Sequence, residues 1–187
     1  SVILSDSGGT DDGGDDTFSN QTFTITVTAV NDEPIANAQG ATVLEDIETS
    51  ITLTGSDGDA EASQSLTYIL TGLPGTGSLS ETSSGSAIAS GALPLTLSDA
   101  ELFFTTASDD VTQQTFKFKV QDDGGTANSG DNESPKATVT VTITPVNDEP
   151  SFTKGSNITV LEDSGQSTIA NWGASISAGP SDEIDQT

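Results

Sequence analysis

The sequence contains no cysteine and no histidine, and only four of its 187 residues are basic. Without cysteine there is no disulfide, no thiolate nucleophile and no zinc–sulfur site. Without histidine the usual general base and the Ser-His-Asp triad are gone. The scarcity of positive charge argues against nucleic acid or an anionic membrane as partner. Long apolar runs are missing too: none approaches the roughly 18 residues that would span a bilayer as a helix, so membrane insertion is not expected. One tryptophan and one tyrosine offer little from which to build an aromatic platform for sugars. These absences predict that the protein is not an enzyme.

Acid is what the chain has in excess. It carries 29 acidic residues and a formal net charge of −25, and self-repulsion on that scale destabilises a compact state unless cations or salt offset it. A cation is therefore the natural small partner.

The second feature present is repetition. Val30-Asn31-Asp32-Glu33-Pro34 returns as Val146-Asn147-Asp148-Glu149-Pro150, an offset of 116 residues between positions 30 and 146. Upstream, Thr24-Ile25-Thr26-Val27-Thr28 returns as Thr140-Val141-Thr142-Ile143-Thr144, and Asp6-Ser7-Gly8-Gly9-Thr10 as Asp122-Asp123-Gly124-Gly125-Thr126. Downstream, Val43-Leu44-Glu45-Asp46 returns as Val160-Leu161-Glu162-Asp163. A period of this length is a whole domain. It predicts a C-terminal hairpin of one repeat at 1–30, a complete repeat at 31–146 and the N-terminal strands of a following repeat at 147–187. The chain is accordingly expected to be a piece of a longer protein.

Alternation at period two sets the fold class. Strands are expected at Ala41–Leu44, Ser50–Thr54, Leu66–Thr71, Ala87–Ala89, Leu102–Thr105, Thr115–Gln121 and Ala137–Thr144, and in the following repeat at Ile158–Leu161 and Ser167–Ile169. Short strands between Gly, Asp and Ser turns, with no long 3.6-residue pattern, predict an all-β sandwich. Its inward face would hold Ile51, Leu53, Leu66, Tyr68, Leu70, Phe116, Phe118, Val120, Val139, Val141 and Ile143, with Lys117 and Lys119 outside. Ser98-Asp99-Ala100-Glu101 fits a capping box and predicts one helical turn before Leu102. Trp172, beside a strand, is expected in a core.

Carboxylate and amide oxygens suit hard cations, of which Ca2+ takes six to eight oxygens at about 2.3–2.6 Å. Three clusters have the composition: Asn31-Asp32-Glu33 with its copy Asn147-Asp148-Glu149, Asp57-Gly58-Asp59-Ala60-Glu61, and Asp122-Asp123-Gly124-Gly125. Any one of them reads first as an ordinary turn. Their common placement at strand ends, under this net charge, points to ion sites.

Thr54-Gly55-Ser56-Asp57-Gly58-Asp59 followed by Leu66-Thr67-Tyr68, the strand Phe116-Lys117-Phe118-Lys119-Val120-Gln121-Asp122, and Val146-Asn147-Asp148-Glu149-Pro150-Ser151-Phe152 occur in the order found in cadherin repeats. The chain resembles the cadherin-like repeats of large bacterial surface adhesins. The resemblance implies Ig-like, Greek-key β-sandwiches in tandem, with calcium between successive domains. It implies that Asp57 and Asp59 are the Asp-x-Asp pair, Asp122 the strand-end aspartate, Asn31-Asp32 and Asn147-Asp148 the linkers, and Glu45 the early glutamate of the far pole. Asp109-Asp110 stands where the family has Asp-Arg-Glu, with Asp99-x-Glu101 as a rival. One joint would use Asn31, Asp32, Asp57, Asp59 and Asp122, with Glu61 as a further candidate. The other would use Glu45, Asp109 or Asp110, Asn147 and Asp148, with Asp182, Glu183 or Asp185 from the next repeat.

The expectation is a calcium-stiffened structural or adhesive module at the surface of a bacterial cell, outside the cell membrane. Its partners would be neighbouring repeats of the same chain, other copies of itself, or cell-surface glycans and proteins. Two alternatives are a homopolymeric fibre assembled by strand complementation and a carbohydrate-binding accessory module of a secreted enzyme.

Overall fold

The computed structural model describes residues 1–60 and 62–183, the Asp182 side chain excepted. The chain divides into two units, 1–30 and 31–187. In chain order the strands are β1 (Ile35–Ala36), β2 (Gln39–Leu44), β3 (Thr49–Thr52), β4 (Gly55–Ser56), β5 (Thr67–Gly72), β6 (Ser78–Ser80), β7 (Leu95–Thr96), β8 (Glu101–Thr105), β9 (Gln114–Gln121), β10 (Ala137–Thr144), β11 (Ser151–Lys154) and β12 (Gly173–Ser177). Among the described residues the only helical elements are 3-10 turns of three residues, and no helix is long and apolar enough to cross a membrane. The fold is all-β.

Alternation writes the sheet. In β9 the side chains of Phe116, Phe118 and Val120 are buried while Thr115 and Lys117 are exposed, as a pleated strand with one face on the core requires. Lys119 lies on that outer face and pairs with Glu133 at 2.6 Å. In β10, Ala137, Val139, Val141 and Ile143 are buried and the threonines between them are not. Threonine and valine share the β-branched shape that suits a strand, so the sequence can alternate polarity without losing strand propensity.

Five strands form one sheet in the order β2-β10-β9-β5-β7, and three form another in the order β3-β8-β6. Both contribute to one hydrophobic core: Val43, Leu70, Phe116, Phe118, Val120, Val139 and Val141 from the first, Ile51, Leu79, Leu102 and Phe104 from the second. Leu66 and Tyr68, expected inside, are half-buried, and the Tyr68 ring lies 6.2 Å from that of Phe118.

Two pairings decide what meets at each end. β2 and β10 are parallel, with Val139 opposite Gln39 and Thr144 opposite Leu44. Residues that follow both strands, Glu45-Asp46 and Pro145–Asp148, therefore leave at the same pole. β5 and β9 are antiparallel, with Thr67 opposite Gln121. The loop before β5 and the loop after β9 therefore meet at the opposite pole.

Several expectations are corrected. Ala87–Ala89 is not a strand: Ile88 makes one backbone bond to Leu79, of 2.8 Å, before a 3-10 turn at Ser90–Ala92. The smaller sheet ends at β6 on one edge and at β3 on the other. No helical turn forms at Ser98–Glu101, because the Ser98 N–H donates to Glu81 and Glu101 already belongs to β8. Ile158–Leu161 and Ser167–Ile169 carry no strand; the strands of that region are β11 and β12. The physical reason is pairing: β2, the counterpart of 156–161, is held by β10, and the described residues of 147–187 contain no such partner. Trp172 is 41 % exposed, its ring 6.5 Å from that of Phe152, and it is not a core residue.

Residues 1–30 are joined by isolated antiparallel bridges, Val2 to Gln21 and Ser5 to Thr17, and not by the expected two strands; Phe23, Ile25 and Val27 are exposed. Their local backbone nevertheless recurs 116 residues later. Asp6 N donates to Asp16 O as Asp122 N does to Asn132 O, at 3.0 and 3.2 Å, and Phe18 N to Leu4 O as Ser134 N to Val120 O, at 2.8 and 3.0 Å. The 3-10 turn Asp11–Gly13 has Asp12 at φ 55°, and Ala127–Ser129 has Asn128 at φ 56°.

Candidate metal centre

At the pole where β2 and β10 end, Asp46, Asp109 and Asp148 each offer a carboxylate oxygen, and these oxygens lie within 4.8 Å of one another. Two oxygens each about 2.4 Å from a shared calcium-sized ion can be separated by no more than about this distance. The spacing is therefore one that a single hard cation can bridge, and the donor set is all oxygen. Without a cation, each pair of like charges at this separation repels by about 1 kcal/mol in water-like surroundings.

Three elements bring these groups together. Asp46 follows β2, at φ 58°, and its N–H donates to Thr106 Oγ1 at 3.0 Å. Thr106 follows β8, whose end is set beside the start of β3 by the pairing of Thr49 with Phe104. Asp109 comes three residues later at φ 53°. Aspartate is among the few residues that enter this left-handed region readily. Asp148 lies in the segment after β10.

Two buried glutamates hold that segment. Glu45, 0 % exposed, accepts a 2.6 Å hydrogen bond from Val146 N–H. The parallel register makes this contact possible, and Glu45 N–H itself donates to Thr144 O at 3.0 Å. Glu183, 5 % exposed, accepts a 2.8 Å hydrogen bond from Asp148 N–H. Gly179 makes room for it, since a Cβ there would overlap the Glu183 carboxylate.

The other expected residues of this pole fall differently. Asn147 is exposed and its side chain donates to Asp148 O at 2.9 Å. Asp110 turns away from its neighbour Asp109: it accepts from the Thr76 hydroxyl and, at 2.9 Å, from Thr112 N–H. The Thr76 bond, and then those to Thr112, hold its carboxyl below the usual aspartate range. Of the alternatives Asp109 or Asp110, the structure brings Asp109 to the cluster. Asp185 and the Asp182 side chain lie outside the described residues.

The opposite pole joins the remaining clusters through two amides. Asn31 Nδ2 donates to Asp122 Oδ1 at 3.0 Å and to Asp131 O at 2.6 Å. Gln64 Nε2 donates to Asp59 Oδ2 at 2.9 Å and to Asn31 Oδ1 at 2.5 Å, while Gln64 N–H donates to Asp57 Oδ2 at 2.9 Å. Asp122 is 5 % exposed. Asp123 binds Ser65 N–H at 2.9 Å, which ties the two loops together. Gly58, at φ 77°, turns the first loop where a Cβ would overlap the Glu33 carbonyl. Asp32 is exposed, and Glu61 lies outside the described residues.

Sequence reasoning passed over two participants. Asp46 was legible, as part of the Val-Leu-Glu-Asp segment that recurs at 160–163. Gln64 carried no signal, because an uncharged amide in a polar loop is unremarked until its neighbours are known.

No protein-family model matches the chain, and no curated protein matches it.

Proposed function

We propose that residues 31–187 act as a calcium-stiffened structural or adhesive module of an extracellular, cell-surface bacterial protein, built of cadherin-like β-sandwich repeats in tandem. The observation that carries this reading is the convergence of Asp46, Asp109 and Asp148 within 4.8 Å. Two of these carboxylates belong to the complete repeat and the third to the segment leaving it. That segment is also held by Glu183, which lies in the region assigned to the next repeat. A cation at the cluster ties the segment to the strand ends behind it.

The mechanism follows from charge. Empty, the three carboxylates repel and the segment after β10 is loosened. Calcium cancels the repulsion, so binding and ordering are coupled. The pole with Asn31, Asp57, Asp59 and Asp122 is the second cation position. The recurrence at offset 116 of the loop hydrogen bonds supports the tandem arrangement.

The test is thermal unfolding of the whole chain in excess calcium and in chelator, at constant ionic strength so that general screening is held fixed. Calcium at a thousand times its dissociation constant adds about 4 kcal/mol, a rise of several degrees in midpoint. Asp46→Asn with Asp109→Asn should abolish most of that rise. An unchanged midpoint in wild type would sink the calcium reading and leave the all-β fold intact.

A further inference from the structure

We propose that Gln64 is a cation-replacing latch: its carboxamide closes the Asn31–Asp57–Asp59–Asp122 pole when no cation is bound and presents its oxygen when one is. This rests on the reading of that pole as a calcium position and adds the regulation of the site. A carboxamide carries a donor and an acceptor of similar size on one terminal torsion. It can face a carboxylate with its nitrogen or a metal with its oxygen.

In the structure the nitrogen is the group that faces the acids. Gln64 Nε2 donates to Asp59 Oδ2 and Asn31 Oδ1 at 2.9 and 2.5 Å, and Asn31 passes its own amide to Asp122 Oδ1 at 3.0 Å. Neutral donors thus stand between carboxylates where a cation would otherwise separate them. Two buried oxygens are left without a hydrogen-bond partner by this arrangement, Gln64 Oε1 and Asp122 Oδ2. Asp122 is 5 % exposed, so water does not reach its second oxygen freely, and a buried carboxylate oxygen without a donor is costly. Both oxygens are of the type calcium takes. Space is provided by Gly124, where a Cβ would overlap Asn31 Oδ1 and Gln64 Nε2. The two poles therefore differ in kind: one gathers the three carboxylates of Asp46, Asp109 and Asp148, the other the three of Asp57, Asp59 and Asp122 with the amides of Asn31 and Gln64 among them.

The experiment compares wild type, Gln64→Glu and Gln64→Leu in the whole chain, with calcium chloride as the probe. In chelator both variants should unfold at lower temperature than wild type, because both lose the amide bonds. In calorimetric titration Gln64→Glu should bind calcium about tenfold more tightly at the pole of Asn31, Asp57, Asp59 and Asp122, and Gln64→Leu about tenfold more weakly. In wild type the side-chain amide resonances of Gln64 should move on adding calcium, while those of Gln114, bonded to Thr112 O at 3.1 Å, stay in place. If wild type binds no calcium, the reading this inference rests on fails. If wild type binds calcium and Gln64→Glu binds it no more tightly, or the Gln64 amide resonances do not move, the latch alone is overturned.

Discussion

Glu45 and Val146 stand 101 residues apart in sequence and share a 2.6 Å hydrogen bond, with the backbone N–H of Val146 donating to Glu45 Oε1. A carboxylate with 0 % exposure is tolerated only with hydrogen bonds or cations around it. Its position one residue beyond β2 puts it against the segment leaving β10. The same residue thus serves packing and charge, and substitutions can separate the two.

Glu45→Ala should cost about 2–3 kcal/mol in chelator, because it strands a backbone donor and empties a buried site. Glu45→Gln keeps an acceptor for Val146 and removes the charge. It should unfold in chelator within about 1 kcal/mol of wild type and lose part of the calcium-dependent gain. Denaturant unfolding with and without calcium measures both.

Asp109→Asn removes one of three mutually repelling carboxylates. In chelator its midpoint should equal or exceed that of wild type, and in calcium it should fall below. Asp110→Asn, whose carboxylate binds Thr76 and Thr112 instead, should leave calcium affinity unchanged. Side-by-side titration calorimetry of the two variants checks the distinction.

Glu183→Ala should loosen residues 147–150 without unfolding the sheets, since Glu183 holds Asp148 N–H and lies outside the shared core. Amide hydrogen exchange should rise at Asp148 and stay protected at Val139 and Val141.

Core truncation should act irrespective of calcium. Phe118 is fully buried between sheet neighbours, and Phe118→Ala should cost about 3–5 kcal/mol through lost burial and a cavity. Urea unfolding in calcium and in chelator should show the same loss.

Glu48, two residues beyond Asp46 in the loop between β2 and β3, offers a pH test at a carboxylate with hydrogen bonds of its own. Its carboxylate accepts from Ser83 Oγ at 2.7 Å and from Ser84 N–H at 2.9 and 3.0 Å. The Ser83 hydroxyl first, and then the Ser84 N–H, lower its pKa below the ordinary 4.5. A depressed carboxylate pKa stabilises the fold above the ordinary value and loses that contribution as pH falls through the folded-state value. The midpoint difference between wild type and Glu48→Gln should therefore be present near neutrality and vanish in acid, as followed by thermal melts across that range.

Much of the fold was legible because its causes are local. Alternating threonine with valine and isoleucine suits a strand with one buried face, and β10 runs Ala137–Thr144 on that pattern, whereas the same alternation at 24–28, without a paired neighbour, forms no strand. Gly and Asp turns between short runs forbid long helices, and the recurrence of Val-Asn-Asp-Glu-Pro marks segment ends without any reference to packing. What composition also determined was the kind of chemistry available: oxygen ligands and negative charge, with no thiolate, imidazole or excess cation to oppose it. Tertiary structure decided which oxygens meet. The parallel register of β2 with β10 brings Asp46 to Asp148, the β3–β8 pairing brings Asp109 to both, and no local rule reaches across a hundred residues. It also chose Asp109 over Asp110, because adjacent residues on a turn point in different directions and Thr76 was there to take the second. Strand formation at Ile158–Leu161 failed for the same reason in reverse: the local pattern was present, and a strand needs a partner to satisfy its backbone.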